Sequence, residues 1–177
     1  HNVVTFRFKV PLFIRSQHHR HRTWSYNEIS RRYTDIDMQF YEPKTFRTQH
    51  KSNRQASNED NLINPDILWE YGYPNDPEQV QVSEAIKLFH KQSLELYHRM
   101  IDLGVCREQA RGVLPQNLYT EYYGTVSLHN ALKFCDLRTH EGAQWEIQQV
   151  AKGMLDIMED LWPEALLAYR SKNSPGK

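Results

Sequence analysis

Apolar and polar residues alternate over 3–10, VVTFRFKV. Val4, Phe6, Phe8 and Val10 fall on one face and Val3, Thr5, Arg7 and Lys9 on the other, a pattern that predicts a half-buried β-strand. Pro11 then suits the first position of a helix, because its missing N–H would lack a partner there in any case. PLFIRSQHHRHR (11–22) is expected to be a short helix with a basic, histidine-rich end. TWSYNEISRRY (23–33) mixes polar and aromatic groups with weak periodicity, and KTFRTQHKSNRQASNEDN (44–61), with one Phe among small, polar or charged residues, reads as a mobile loop. The strongest helical pattern covers 77–103. Pro77 opens it, Gly104 stops it, and Val82, Ile86, Phe89, Leu96, Met100 and Leu103 form its apolar stripe. REQAR (107–111) starts another short helix that ends near Pro115. NLYTEYYGTV (117–126), rich in aromatic and β-branched residues, reads as a strand with Gly124 at a bulge. SLHNALKFCDLR (127–138) and GAQWEIQQVAKGMLDIMEDLW (142–162) read as helices, the second with Ile147, Val150, Met154, Ile157 and Leu161 facing inward. Pro163 interrupts, and the SKNSPGK tail is expected to fray. There is no internal repeat. The order of elements lacks regular βαβ units, so the expected fold class is α+β: a small antiparallel sheet packed with long helices in a single domain.

Composition narrows this picture. A chain of 177 residues suits one domain and can bury a sizeable core. Hydrophobic residues make up 39% and aromatics 12%, enough to argue against disorder despite a mean hydropathy of −0.77. No run of about 18 apolar residues is present, so no membrane span is expected. The 22 basic and 22 acidic residues cancel overall but not locally: residues 1–60 hold eleven Lys and Arg against six Asp and Glu. This asymmetry suggests an anionic ligand near the N-terminal part. Cys106 and Cys135 make neither a disulfide framework nor a zinc site and are expected to be packing residues. A cytoplasmic location is the expectation.

The densest chemistry lies in QHHRHRTWSYNEISRRY (17–33). Arg20, Arg22, Arg31 and Arg32 place four guanidiniums within thirteen residues, with Ser25, Asn27, Glu28 and Ser30 between them. Guanidiniums are planar forks suited to bidentate phosphate contacts. A single carboxylate among such cations stays ionised and accepts hydrogen bonds from a ligand. Trp24, Tyr26 and Tyr33 supply flat surfaces, so a phosphorylated aromatic ligand fits the set. Three other readings stand beside this one. The run can be a solvated face. His18, His19 and His21 can be metal ligands, although adjacent histidines rarely face one ion and no metal site is expected. Arginines interleaved with aromatics over 15–33 can also form an RNA-binding module, which the neutral total charge weakens.

The same residues carry a resemblance. RHRTWSYNEIS (20–30) matches R-H-R-x7-S, the signature of the flavin-dependent thymidylate synthases. The preceding strand, PLFIRSQ and SRRY resemble the family's flanks. REQARGVLP (107–115), LYTEYYGTV (118–126) and LRTHEGAQWEI (137–147) resemble its second half in the right order. The resemblance implies conversion of dUMP to dTMP, with methylenetetrahydrofolate as carbon donor, reduced FAD as hydride source and NADPH as the usual flavin reductant. It also implies an α+β homotetramer with active sites shared between subunits, and no nucleic-acid or membrane partner. Arg20, His21 and Arg22 would hold FAD, and Glu28 would lie at the flavin–nucleotide junction. Gln17, Arg20, Glu28, Ser30, Arg31, Arg32, Arg111 and Arg138 would meet the nucleotide, Arg138 being the catalytic arginine that activates the uracil ring. An arginine is a poor general base but can stabilise charge on an ionising imide, so no thiol nucleophile is required.

The sequence departs from the family pattern after TV. Ser127 and His129 stand where an Asn and an Arg are common, Lys133 where another Asn is common, and Gly142 where a His is often found, with His140 two residues earlier. Ser127, His129 and Lys133 remain the candidate flavin contacts of that half. The family's N-terminal part would precede His1, so 1–177 is expected to be a synthase domain lacking it. The alternative is an FAD- or nucleotide-binding homologue without activity. His18 and His19 are expected to face the nucleotide or solvent, and Trp145 the core.

Overall fold

The computed structural model describes residues 2–30, 37–53, 56–69 and 78–173. In chain order the elements are β1 (Val3–Pro11), α1 (Leu12–His18), β2 (Ser25–Glu28), β3 (Phe46–Gln49), β4 (Ser57–Ile63), β5 (Asp66–Trp69), β6 (Glu78–Gln81), α2 (Val82–Asp102), α3 (Arg107–Ala110), a 3₁₀ turn over Arg111–Val113, β7 (Tyr119–Ser127), α4 (Leu128–Arg138), α5 (Trp145–Leu161) and α6 (Pro163–Asn173). The class is α+β, with small antiparallel sheets.

Strand β7 is the centre of the main sheet, with order β1-β7-β2. β1 pairs along its whole length with β7, from Val3 opposite Ser127 to Pro11 opposite Tyr119, and β2 pairs with the other edge, from Ser25 opposite Thr125 to Glu28 opposite Tyr122. The alternation in β1 is realised: Val4, Phe6, Phe8 and Val10 are buried and the residues between them are exposed. This face packs on helices α4 and α5 through Phe134, Ile147, Ala151, Met154 and Met158, all at most 2% exposed. Burying a side chain of that kind contributes roughly 1.5–3 kcal/mol. Gly124 is not at a bulge, since the register runs through it unbroken. A Cβ there would lie 3.0 Å from the Phe8 ring and 3.1 Å from Trp24, so the glycine makes room for two aromatics packed across the strand.

Several expectations need correcting. The stretch 44–61 is not a loop without structure: β3 and β4 pair as a hairpin with a register shift between Arg47 and Thr48. Its strands are polar because they are partly exposed, and cross-strand backbone pairing does not need apolar side chains. The helix expected over 77–103 begins at Val82. The residues before it form β6, antiparallel to β5, and Asn64 caps the helix by accepting from Ser83 N at 3.0 Å. Its expected stripe is not its buried face. Ala85, His90, Ser93 and Tyr97 are buried, whereas Phe89, Leu96 and Leu103 are 49%, 48% and 85% exposed, because β5, β6, α3 and the 3₁₀ turn cover only one narrow side of the helix. In α5 the inward set is Ile147, Ala151, Met154 and Met158, while Ile157 and Leu161 face out. Pro163 starts a new helix, as its fixed φ and missing N–H allow at a first turn. Cys135 is buried as expected, but Cys106 is exposed. No helix among the described residues is long and apolar enough to cross a membrane.

Candidate functional site

The basic motif lies in the turn between α1 and β2, and its position is set from both sides. Helix α1 follows β1 at Pro11 and ends at His18, earlier than expected, so Arg20, His21 and Arg22 occupy a turn and not a helix. Tyr26 of β2 reaches back and donates from its hydroxyl to the backbone carbonyls of His18 at 2.9 Å and His21 at 3.2 Å. Beneath the turn sits His18, 1% exposed, so that, contrary to expectation, it faces neither a ligand nor solvent. Its ring packs on Trp24, Phe8 and Phe134 at 4.5, 4.7 and 4.7 Å between centroids, and its Nδ1 is 2.7 Å from the Tyr122 hydroxyl. Burial, with smaller contributions from His21 and His19, pushes its pKa down to about 3, so it is neutral. His19 stacks on Tyr26 at 4.0 Å.

The C-terminal end of α4 meets this turn. Arg138 donates from Nε to His21 Nε2 at 3.2 Å. Burial, and then the Arg138 charge, lowers the His21 pKa, which keeps the imidazole neutral and able to accept at Nε2. Burial also lowers the Arg138 pKa, but an arginine remains a cation, and no carboxylate pairs with it among the described residues. Arg20 and Arg22 are exposed and make no side-chain hydrogen bond or ion pair among the described residues. Two guanidiniums on this turn and a third in contact with its histidine are therefore without an ion pair among the described residues.

A cleft of about 480 Å³ opens between α1, β2 and the 3₁₀ turn, with Arg15, Glu28, Ser30, Arg111 and Thr120 in its lining and no residue of the basic turn among them. Glu28 accepts from Thr120 Oγ1 at 2.7 Å and lies 3.2 Å from Arg15 Nε. Arg15 Nε is nonetheless without a well-aligned hydrogen bond, so this contact is an ion pair by proximity. Sequence reasoning missed Arg15 as a site residue, and no local spacing links it to Glu28. The pair forms only because β2 folds back beside α1.

Gln17, on the same helix as Arg15, does not line this cleft, and its Nε2 donates to Gln144 Oε1 at the start of α5. Gln144 Nε2 donates in turn to Glu146 Oε2 at 3.0 Å. Glu146 Oε1 also accepts from Tyr41 at 3.1 Å and from Arg47 of the hairpin at 2.5 Å. Arg47 further donates to Ser57 Oγ at 3.0 Å and lies 4.9 Å over the Trp145 ring, which is half-buried and not in the core. Burial alone would raise the Glu146 pKa, but the hydrogen bonds from Arg47 and Gln144 outweigh it, and the carboxyl is held below its ordinary value. Burial and the same carboxylate push Tyr41 up to about 12. None of these residues except Gln17 was singled out as a contact.

The remaining candidates are dispersed. Ser127 caps α4 by accepting from Asn130 N at 3.4 Å. With His129 it borders one hollow of about 510 Å³, and His129 and Lys133 border another of similar size beside α6. Around the axis of α4, His129 and Lys133 lie about half a turn from Arg138, and Ser127 caps the opposite end of the helix, ~16 Å along it, so a single chain brings none of them to Arg138 or to the cleft. Arg31 and Arg32 lie outside the described residues. Among the described residues no group of three or more His, Cys, Asp or Glu could hold a metal ion.

A family model described as thymidylate synthase complementing protein matches residues 1–164. The chain belongs to this family. Among its relatives, a flavin-dependent thymidylate synthase of Thermus thermophilus is 39% identical over 167 residues, which are 94% of this chain and 56% of the relative. That of Thermosipho africanus is 34% identical over 178 residues, covering 97% of this chain and 71% of the relative. A solved UMP/dUMP methylase from Streptomyces cacaoi, bound with 5-Br UMP, superposes with a TM-score of 0.77 at 28% identity, over 96% of this chain and 73% of that one. The chain thus spans little more than half the length of the Thermus relative, and family membership rests on the part the two share.

Proposed function

We propose that the protein is a flavin-dependent thymidylate synthase that converts dUMP to dTMP, with methylenetetrahydrofolate as carbon donor and NADPH as the source of reducing equivalents. The observation that carries this reading is the contact between Arg138 and His21. It brings the basic motif and the LRT segment, 117 residues apart, to one place and leaves both Nη groups of Arg138 without a hydrogen-bond partner among the described residues. Arg20 and Arg22 fit an FAD pyrophosphate by their chemistry, as two exposed guanidiniums flanking a neutral histidine on a fixed turn. Reduced flavin held there would supply the hydride.

The chain's own residues would do the rest. Glu28, Ser30 and Arg111 line one cleft and would seat the nucleotide, with Arg31 and Arg32 of the same segment, and Gln17 outside that lining, as further contacts. Glu28 is steadied by Thr120 and Arg15 and would accept a hydrogen bond from the ligand. Arg138, aimed by His21, would stabilise negative charge on the uracil imide and so push electron density toward the carbon that gains the methyl group. A well-placed donor of this kind lowers the barrier by roughly 3–4 kcal/mol. Ser127, at the far end of α4 from Arg138, and His129 and Lys133, on its other side, would serve the flavin of a neighbouring copy in a homotetramer with shared sites. The test uses the purified full-length protein. A bound flavin band, bleaching by NADPH, and dTMP formation from dUMP and methylenetetrahydrofolate are the expected results, and a flavin-free protein that forms no dTMP overturns the reading.

A further inference from the structure

We infer that Glu146 is a positioning residue that acts through Gln144 to fix which end of the Gln17 amide faces the ligand, so that Gln17 presents its carbonyl oxygen and recognises an N–H or O–H of the nucleotide. This rests on the reading above, in which Gln17 meets the nucleotide.

The argument follows from the donor and acceptor capacities of the groups in the chain from Arg47 to Gln17. An amide side chain can be turned over with almost no change of shape, and only its neighbours decide which end donates. An ionised carboxylate is the one member of such a chain that cannot be turned over, because it only accepts. Glu146 is held in that form by Arg47 and Tyr41 on Oε1 and by Gln144 on Oε2. The NH₂ of Gln144 must therefore face Glu146, which leaves its carbonyl facing α1. Gln17 must turn its own NH₂ toward that carbonyl, as is observed. Its Oε1 is left to point away with no hydrogen-bond partner among the described residues. Gln144 is the N-cap residue of α5 and Glu146 lies in its first turn, so both are placed by a helix whose buried face is fully packed. The negative charge is also favoured at that end of the helix.

Glu146→Gln is the decisive variant because it disturbs shape least. The new amide at position 146 can accept from Arg47 and Tyr41 with its oxygen and donate to Gln144 with its nitrogen. Gln144 then turns over, Gln17 follows, and an NH₂ is offered to the ligand where an oxygen had been. Adding Gln144→Glu to that variant restores an acceptor-only group beside Gln17 and returns Gln17 to its original sense. dUMP affinity is measured by calorimetry on the full-length holoenzyme. Side-chain amide resonances are recorded on ¹⁵N-glutamine-labelled protein without nucleotide. E146Q is expected to weaken dUMP binding about tenfold or more, as befits a mispaired polar contact, and E146Q with Q144E to recover most of that loss. The Gln17 amide signals should move in E146Q and return in the double variant. Unchanged dUMP affinity in E146Q, or a double variant weaker than either single one, overturns the inference. So do Gln17 signals that ignore position 146. Should the wild-type protein not bind dUMP at all, the proposed function fails, while the amide signals still decide whether the polarity is relayed.

Discussion

Arg138 and Arg47 are both half-buried, and both meet the helical pair α4–α5 near one of its ends, yet they are used in opposite ways. Arg47 donates to Ser57 and to the Glu146 carboxylate and covers the Trp145 ring. Arg138 has a single hydrogen bond, to a neutral histidine, and faces no carboxylate among the described residues. A cation neutralised by its own fold is a fastener. A cation oriented by an uncharged group keeps its attraction for something not yet bound, while sitting partly desolvated without compensation. The difference teaches how to sort guanidiniums: Arg138, Arg20 and Arg22, without ion pairs among the described residues, are the ones the proposed function gives to a ligand, and Arg47 is not.

The sharpest way to break the comparison is Arg138→Ala. Turnover should fall by about 10²–10³ or more, while the flavin band and thermal stability stay close to wild type. Loss of flavin, or a large fall in melting temperature, would place Arg138 with the fasteners. The next test concerns the neutral ground under the motif. His18 has a pKa of about 3 in the folded state against about 6.5 in an unfolded chain, the depression coming first from burial. Its contribution to stability is therefore complete above about pH 6.5 and is lost progressively as the pH falls toward 3, because the unfolded chain takes up a proton that the folded one refuses. Urea denaturation at about pH 7 and about pH 4.5 should show this loss in the wild type and a clearly smaller one in His18→Phe; equal losses would place the acid sensitivity elsewhere. The smallest effect is expected from Arg47→Met. It should lower stability by about 1–3 kcal/mol through the ion pair and hydrogen bond it removes. Its effect on turnover should be far below that of Arg138→Ala, and comparable turnover losses would erase the distinction.

Much of this was legible along the chain. The period of two in β1 and the aromatic, β-branched run of β7 marked the two long strands of the sheet, and the spacing of R-H-R and Ser30 marked the motif. Less legible was everything decided by partners distant in sequence. A helix pattern reports that an apolar face exists, not which neighbour covers it: α2 buries Ala85 and Tyr97 and leaves Phe89 and Leu96 in the open. The hairpin β3–β4 was invisible because its residues pair through the backbone, which carries no composition signal. Arg15 beside Glu28, and Gln17 beside Gln144, are consequences of how β2 and α5 return to α1, and nothing in local spacing announces such a return. A histidine within a basic run, such as His18, looks like a surface group until the aromatic cage around it is seen.

The turn carrying Arg20, His21 and Arg22 is bracketed by a helix docked on α5 on one side and a strand hydrogen-bonded to β7 on the other, with the Tyr26 hydroxyl bolting its two carbonyls together. In the proposed function an incoming anion would therefore meet a preformed cradle. Little backbone freedom would remain to be surrendered on association, so affinity at this turn would depend on charge and shape more than on ordering of the chain.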